Sequence, residues 1–124
     1  MNDPREQFAT TAVDLVDTHT DTAIVYAEIA GQYLDAARRR HPDRVINVGI
    51  REQLMVDVGA GLSLAGVFPI VHTFAPFLVE RAYEQIKLGF AHQDTDGMLV
   101  STGGSVDMAA AGRTHQTSAD VTLM

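Results

Sequence analysis

The sequence predicts an α/β fold in which a parallel sheet is flanked by helices. Four short apolar runs, at residues 23–27, 45–48, 67–72 and 98–100, have the near-continuous hydrophobicity of strands buried on both faces. Between them lie segments whose apolar residues recur at helical spacing. The connections are short, which selects parallel βαβ units with right-handed crossovers. With 124 residues, 1–124 make one domain around a single modest core.

The first helix opens at Asp3-Pro4-Arg5-Glu6. Asp3 can cap, Pro4 suits the first helical position, and Glu6 falls at the capping-box position. Phe8, Ala12, Leu15 and Val16 form its stripe, and the polar run from Thr18 to Thr22 ends it. Glu28-Ile29-Ala30-Gly31 follows the first strand. A second helix over 33–40 closes at His41-Pro42-Asp43, and Arg38-Arg39-Arg40 is read as a solvated end that complements the helix dipole.

The second strand runs into Gly49-Ile50, and a helix begins at once with Arg51-Glu52-Gln53. Leu54, Met55, Val58, Leu62 and Ala65 keep helical spacing, and Gly66 stops the helix as a left-handed cap. Gly59-Ala60-Gly61 in its middle costs roughly 1 kcal/mol per glycine in helix propensity. That predicts a neighbour at close approach, with a subunit partner as one candidate. In the third strand Pro69 falls early or at an edge. Pro76 restarts a helix with Phe77 or Leu78, Ala82, Ile86 and Phe90 on its apolar face. A turn at 94–97 leads to the fourth strand, which ends in Ser101-Thr102-Gly103-Gly104. A loop rich in Ala and Gly then reaches Arg113-Thr114-His115-Gln116, and the chain ends in a further apolar pattern from Val121 to Met124.

Composition narrows the function classes. Nine basic against sixteen acidic residues give a net charge of −7, which argues against a nucleic-acid surface. No apolar run approaches the roughly 20 residues of a membrane helix. The first six residues lack the basic and then apolar regions of a secretory signal, so a cytoplasmic protein is expected. The absence of cysteine excludes a disulfide framework, a thiolate metal site and a Cys nucleophile. No metal site is expected on this chain.

In an open α/β sheet, ligands bind outside the carboxyl ends of the strands, where the next helix starts. Glu52 stands at such a place. The segment Asn47-Val48-Gly49-Ile50-Arg51-Glu52-Gln53 resembles the Asn-x-Gly-Ile-x-Glu-Gln stretch of transketolase-type thiamine diphosphate enzymes. Two further segments carry the same resemblance. Phe74-Ala75-Pro76-Phe77, followed by Arg81-Ala82-Tyr83-Glu84-Gln85, is similar to the family's aromatic wall. Gly112-Arg113-Thr114-His115-Gln116 is similar to its Asp-Gly-x-Thr-His-Gln motif.

The resemblance covers the chain from Asp3 to Met124 and implies the pyrimidine-binding domain of the thiamine diphosphate-binding fold. Transketolase or its C-terminal section is a better match than the beta-chain of pyruvate dehydrogenase, and deoxyxylulose phosphate synthase is a close relative. By this resemblance Glu52 activates the cofactor at pyrimidine nitrogen N1′, and Phe77, with Phe74 second, forms the surface on which the aminopyrimidine packs. His115 reaches the sugar substrate. Burial would keep the Glu52 proton shared with the ring, whereas the helix dipole favours the anion. His72, at a strand end beside Phe74, is a further candidate for the pocket lining.

Two departures stand out. Ala111 replaces the Asp that precedes the motif's Gly, and Glu28 stands where Asp is common after the first strand. The Gly-Asp-Gly motif for diphosphate and magnesium, with its downstream Asn, is not in this chain. The resemblance therefore implies thiamine diphosphate shared with a diphosphate-binding domain or partner subunit, which would also hold the magnesium, in a homo- or hetero-oligomer. The family also continues into further strands and a third domain, so a C-terminally truncated product, a split subunit or a fragment is expected. The expected reaction is transfer of a two-carbon ketol unit between sugar phosphates, with no activity of the chain alone. The alternatives are a catalytically silent remnant that only pairs with a homologue, and an unrelated nucleotide binder using Gly103-Gly104. No G-x-G-x-x-G opens a helix after the first strand to support the latter.

Overall fold

The computed structural model describes residues 3–124; Met1 and Asn2, the head of the segment tested for a secretory signal, lie outside the described residues. Helix α1 spans Pro4–Thr18, β1 Thr22–Tyr26, α2 Gly31–Arg40, β2 Val45–Asn47, α3 Glu52–Leu64 and β3 Phe68–Phe74. A helical segment follows, made of a π-helical stretch Phe77–Arg81, the short α4 at Tyr83–Gln85 and a second π-helical stretch Ile86–Ala91. Strand β4 is Met98–Thr102, and the chain continues through a 3₁₀ stretch, Ala109–Thr114, to α5 at Asp120–Leu123.

The sheet has four parallel strands in the order β2-β1-β3-β4. Every residue of β1 is buried, as its continuous apolar run requires of a strand covered on both faces. One face carries Ile24, Tyr26 and Ile70 against Ala9, Ala12 and Val16 of α1 and Leu34 and Ala37 of α2. The other carries Val25 and Val71 against Met55, Val56 and Ala60 of α3 and Leu78, Ala82, Ile86 and Phe90 of the later helical segment. Arg44 ties the first face together, its Nη1 donating to the carbonyls of Val16, His19 and Thr22. The chain leaves β2, passes β1 and returns at β3, so the topological switch lies between β1 and β3, where such sheets open a crevice.

At several places the packing differs from the sequence-based expectation. The buried face of α3 is Glu52, Met55, Val56, Gly59 and Ala60, whereas Val58 and Leu62 are half-buried and Leu54 is exposed. The stripe is turned by about one position, and a carboxylate stands at its head. A Cβ on Gly59 would come within 2.7 Å of Val71 Cγ2 and 3.3 Å of Phe90 Cζ, and one on Gly89 within 3.0 Å of the Ala60 Cβ. Gly59 and Ala60 therefore admit β3 and the Phe90 segment of this same chain, while Gly61 on the same helix faces open space.

The helix after Pro76 is not a regular α-helix. Its buried residues Leu78, Ala82, Ile86 and Phe90 recur every four positions, wider than the 3.6 of an α-helix. Bonds spanning five residues, such as His92 N–H to the Lys87 carbonyl, widen the turn and keep that stripe on one side. Pro69 lies at the start of an internal strand, not an edge strand: it is paired with Ala23 of β1, one residue before the β4 ladder begins at Ile70. Asp3 caps α1 through the Arg5 amide, but its carboxylate also takes the Arg5 guanidinium and the Tyr33 hydroxyl. Glu6 makes no side-chain return bond.

Candidate functional site

The site is built at the carboxyl ends of β1, β2 and β3. Asn47 Oδ1 accepts the Gly49 amide at 2.9 Å and the Glu28 amide at 3.3 Å. Its Nδ2 donates to Glu28 Oε1. One side chain thus shapes both the turn into α3 and the loop after β1, as asparagine does in side-chain-closed turns. Gly49 has φ +73°, a conformation that glycine takes without a steric penalty. Glu28 and Ala30 also have positive φ, at 62° and 65°, so the loop after β1 holds strain of the kind found at functional sites. The turn at Gly49 sends the chain into α3 with Glu52 as its first residue.

Glu52 is 1% exposed. Its Oε2 accepts a hydrogen bond from Arg81 Nη1 at 2.8 Å, the one salt bridge it makes among the described residues. A carboxylate taken out of water needs such a partner, since an unpaired buried charge is costly. The same guanidinium lies over the Phe77 ring, 4.1 Å from its centroid, within cation–π range. Phe77 and Arg81 stand at the two ends of the π-helical stretch, four residues apart, so their side chains share one face.

The other predicted residues join this group. Phe74 and Phe77 meet edge to face with centroids 6.2 Å apart. His115 packs against both, at 5.2 Å from Phe77 and 5.7 Å from Phe74. These separations fall within the favourable range for edge-to-face rings. His115 arrives from far along the chain because Gly112, with φ 69° and ψ −163°, kinks the 3₁₀ stretch in a conformation reserved for glycine. Thr117, 1% exposed, anchors that loop by donating to Glu80 Oε1 at 2.6 Å, and its amide bonds the Ser105 carbonyl. Glu52, Phe74, Phe77 and His115 therefore form one contiguous cluster through Arg81.

His72 is not in that cluster. It is buried, its ring stacks on Phe8 of α1 at 3.9 Å, and its Nδ1 donates to the Val100 carbonyl at 2.9 Å. Burial pushes its pKa down to about 4, and the bond to Val100 opposes the shift only partly. Its Nε2 has no partner among the described residues. Gly103 and Gly104 open no helix. Gly103 is a close-packed turn with φ +71°, where a Cβ would come within 2.6 Å of Met108 Cγ. Glu80 and Thr117 carry no motif that marks them in the sequence, and Arg81 stands there only as the head of the Arg-Ala-Tyr-Glu-Gln segment, with no role of its own. The signal available for Arg81 is its spacing of four residues from Phe77 on a predicted helix.

Among the described residues no group of three or more His, Asp or Glu could hold a metal ion, and no helix is long and apolar enough to cross a membrane.

Comparison with known proteins gives the chain's family and its fold relatives. A protein of the fasciation locus of Rhodococcoides fascians, of 33.6 kDa and uncharacterized, is 47% identical over 117 residues, covering 94% of this chain and 38% of that protein. One of the subunits of the apulose-4-phosphate transketolase of Actinobacillus succinogenes is 35% identical over 86 residues, covering 69% of this chain and 28% of the relative. Among solved structures, a split-gene transketolase described as an inactive β4 tetramer superposes with a TM-score of 0.79 at 28% identity, over 97% of this chain and 38% of the other. The chain thus spans well under half the length of each. The model of the family described as transketolase, pyrimidine binding domain, matches residues 3–124, and the chain belongs to that family.

Proposed function

We propose that this chain is the pyrimidine-binding portion of a transketolase-type enzyme that transfers a two-carbon ketol unit between sugar phosphates, using thiamine diphosphate shared with a partner domain or subunit. The observation that carries this reading is Glu52, a carboxylate 1% exposed at the head of α3, paired with a cation that lies on the Phe77 ring. A buried acid beside an aromatic face suits a flat, basic heterocycle that brings its own hydrogen-bond donor.

Thiamine diphosphate supplies a thiazolium carbon nucleophile that its own aminopyrimidine deprotonates; the protein contributes binding, orientation and electrostatics. Glu52 would hydrogen-bond ring nitrogen N1′ and hold the proton shared there, in a place closed to water. Phe77, with Phe74 behind it, would form the wall on which the pyrimidine packs. His115, edge-on to both rings, would face the sugar substrate, where an imidazole suits hydroxyl recognition or proton transfer. The partner would hold diphosphate and magnesium. Ile50, 72% exposed, and Leu54, 43% exposed, leave apolar surface beside the start of α3 that a partner would cover.

A second reading, a pairing module without activity, is favoured by Ala111, where the family's motif has Asp. One experiment separates the two. The chain is mixed with a partner subunit carrying Gly-Asp-Gly and its downstream Asn, and cofactor binding is followed by calorimetry and ketol transfer by a coupled assay. The enzyme reading expects cofactor and magnesium to bind the pair much more tightly than the chain alone, with turnover. Tight pairing without cofactor uptake leaves the silent module.

A further inference from the structure

We propose that Arg81 is a placeholder for the aminopyrimidine: in the cofactor-free chain its guanidinium fills the subsite between Phe77 and Glu52, and it must leave when the ring enters. The inference rests on the cofactor reading above and concerns what occupies that subsite beforehand.

Two contacts define the subsite, and Arg81 makes both. Its guanidinium lies 4.1 Å from the Phe77 centroid and donates to Glu52 Oε2 at 2.8 Å. A guanidinium is planar, delocalised, cationic and rich in N–H donors. An aminopyrimidine protonated at its ring nitrogen has the same four properties. At 4.1 Å no second planar group fits between guanidinium and ring, so the two ligands exclude one another on that face of Phe77.

The remaining environment allows exchange. Arg81 makes no hydrogen bond other than the one to Glu52 among the described residues, and its side chain is 39% exposed, so it can swing into water. Glu52 cannot, because its side chain is 2% exposed. The acid is therefore the fixed half of the pair and the base the mobile half. The device keeps a buried carboxylate partnered while the ring is away, avoiding the cost of an isolated buried charge. It also makes the subsite selective, because only a planar group able to carry the positive charge replaces what leaves.

The test uses the full chain, labelled with ¹⁵N and at the Phe ring carbons, titrated with free 4-amino-5-hydroxymethyl-2-methylpyrimidine, the half of the cofactor assigned to this chain. The expected result is that the Arg81 Nε–H resonance loses its folded position as the Phe77 ring signals shift, with the same midpoint. Arg81→Gln is expected to bind the ring on the order of fivefold more tightly, the scale of one lost competing cation–π contact. Arg81→Lys, which keeps charge but cannot stack as a plane, is expected to fall between; it serves if Arg81→Gln does not fold. An Arg81 resonance unmoved at saturation, or an Arg81→Gln chain binding no more tightly, overturns the placeholder while ring binding that Phe77→Ala abolishes leaves the cofactor reading standing. Ring binding absent from wild type and Arg81→Gln alike, or indifferent to Phe77→Ala and Glu52→Gln, overturns the cofactor reading and the placeholder with it.

Discussion

Arg81 Nη1 meets Glu52 Oε2 at 2.8 Å across 29 positions of sequence, joining the helical segment after β3 to the first residue of α3. The two ends of the pair differ: the acid is buried and the base is partly in water. Removing one partner of a fully buried pair costs about 3–5 kcal/mol, and the exposure of Arg81 reduces that figure through solvent screening.

Arg81→Ala is accordingly expected to lower unfolding stability by about 1–3 kcal/mol, and Glu52→Gln by less, since the amide still accepts a hydrogen bond. In a double-mutant cycle by chemical denaturation the two losses should fail to add. Additive losses would mean that the pair contributes nothing as a pair.

In the enzyme assembled with its partner, Glu52→Gln and Phe77→Ala are expected to part company. Glutamine keeps the size of Glu52 and can hydrogen-bond N1′, but it cannot exchange a proton there. Cofactor affinity should change little while turnover falls by about 10²–10⁴-fold, the usual cost of losing an acid–base group. Phe77→Ala should weaken cofactor affinity by about 1–3 kcal/mol, the scale of base–aromatic stacking. Unchanged turnover in Glu52→Gln would reduce Glu52 to a carboxylate that starts a helix.

The two glycines of α3 should respond in opposite directions. Gly61 faces open space, so Gly61→Ala should stabilise the chain by up to about 1 kcal/mol through helix propensity. A Cβ at Gly59 would come within 2.7 Å of Val71 Cγ2, on a buried β-branched side chain that cannot move aside. Overpacking of about 1–3 kcal/mol should outweigh the propensity gain and leave Gly59→Ala destabilised. Thermal melts of both variants decide it, and a stabilised Gly59→Ala would contradict the close approach of β3.

His72 should make stability fall with acid in a defined window. Burial holds its pKa near 4, against 6.5 for an unfolded histidine. Above pH 6.5 it is neutral in both states. Between 6.5 and about 4 the unfolded chain takes up a proton that the folded chain refuses, so unfolding gains on the order of 3 kcal/mol. Asp17, lowered by its bonds to His41 and Arg40, and Asp3, lowered to about 2 by Arg5, add their losses only below about 3.8. His72→Phe, which keeps the stack on Phe8, should flatten the slope between pH 4 and 6.5 in denaturation curves. An unchanged slope would assign it to other groups.

By itself the sequence determined the elements and their order, because apolar periodicity and turn residues act over a few positions. The run at 23–27 read as a strand covered on both faces, the second strand stopped at Gly49-Ile50, and Glu52 stood where α3 begins. The motifs also named Phe74, Phe77 and His115 before any of them could be seen to touch. Tertiary structure decided which faces are buried and who neighbours whom. The stripe on α3 turned toward Glu52, Met55, Val56, Gly59 and Ala60 because β3 and Phe90 close on Gly59, a contact between segments far apart in sequence. Likewise His72 went to the α1 face because side chains alternate along a strand and Phe8 was waiting there. Arg81 was visible only as the head of the Arg-Ala-Tyr-Glu-Gln segment, with no partner assigned to it. Its bond to Glu52 exists because the π-helical stretch, set by packing of Leu78, Ala82, Ile86 and Phe90, aims it across Phe77 at a carboxylate that has no other salt-bridge partner among the described residues.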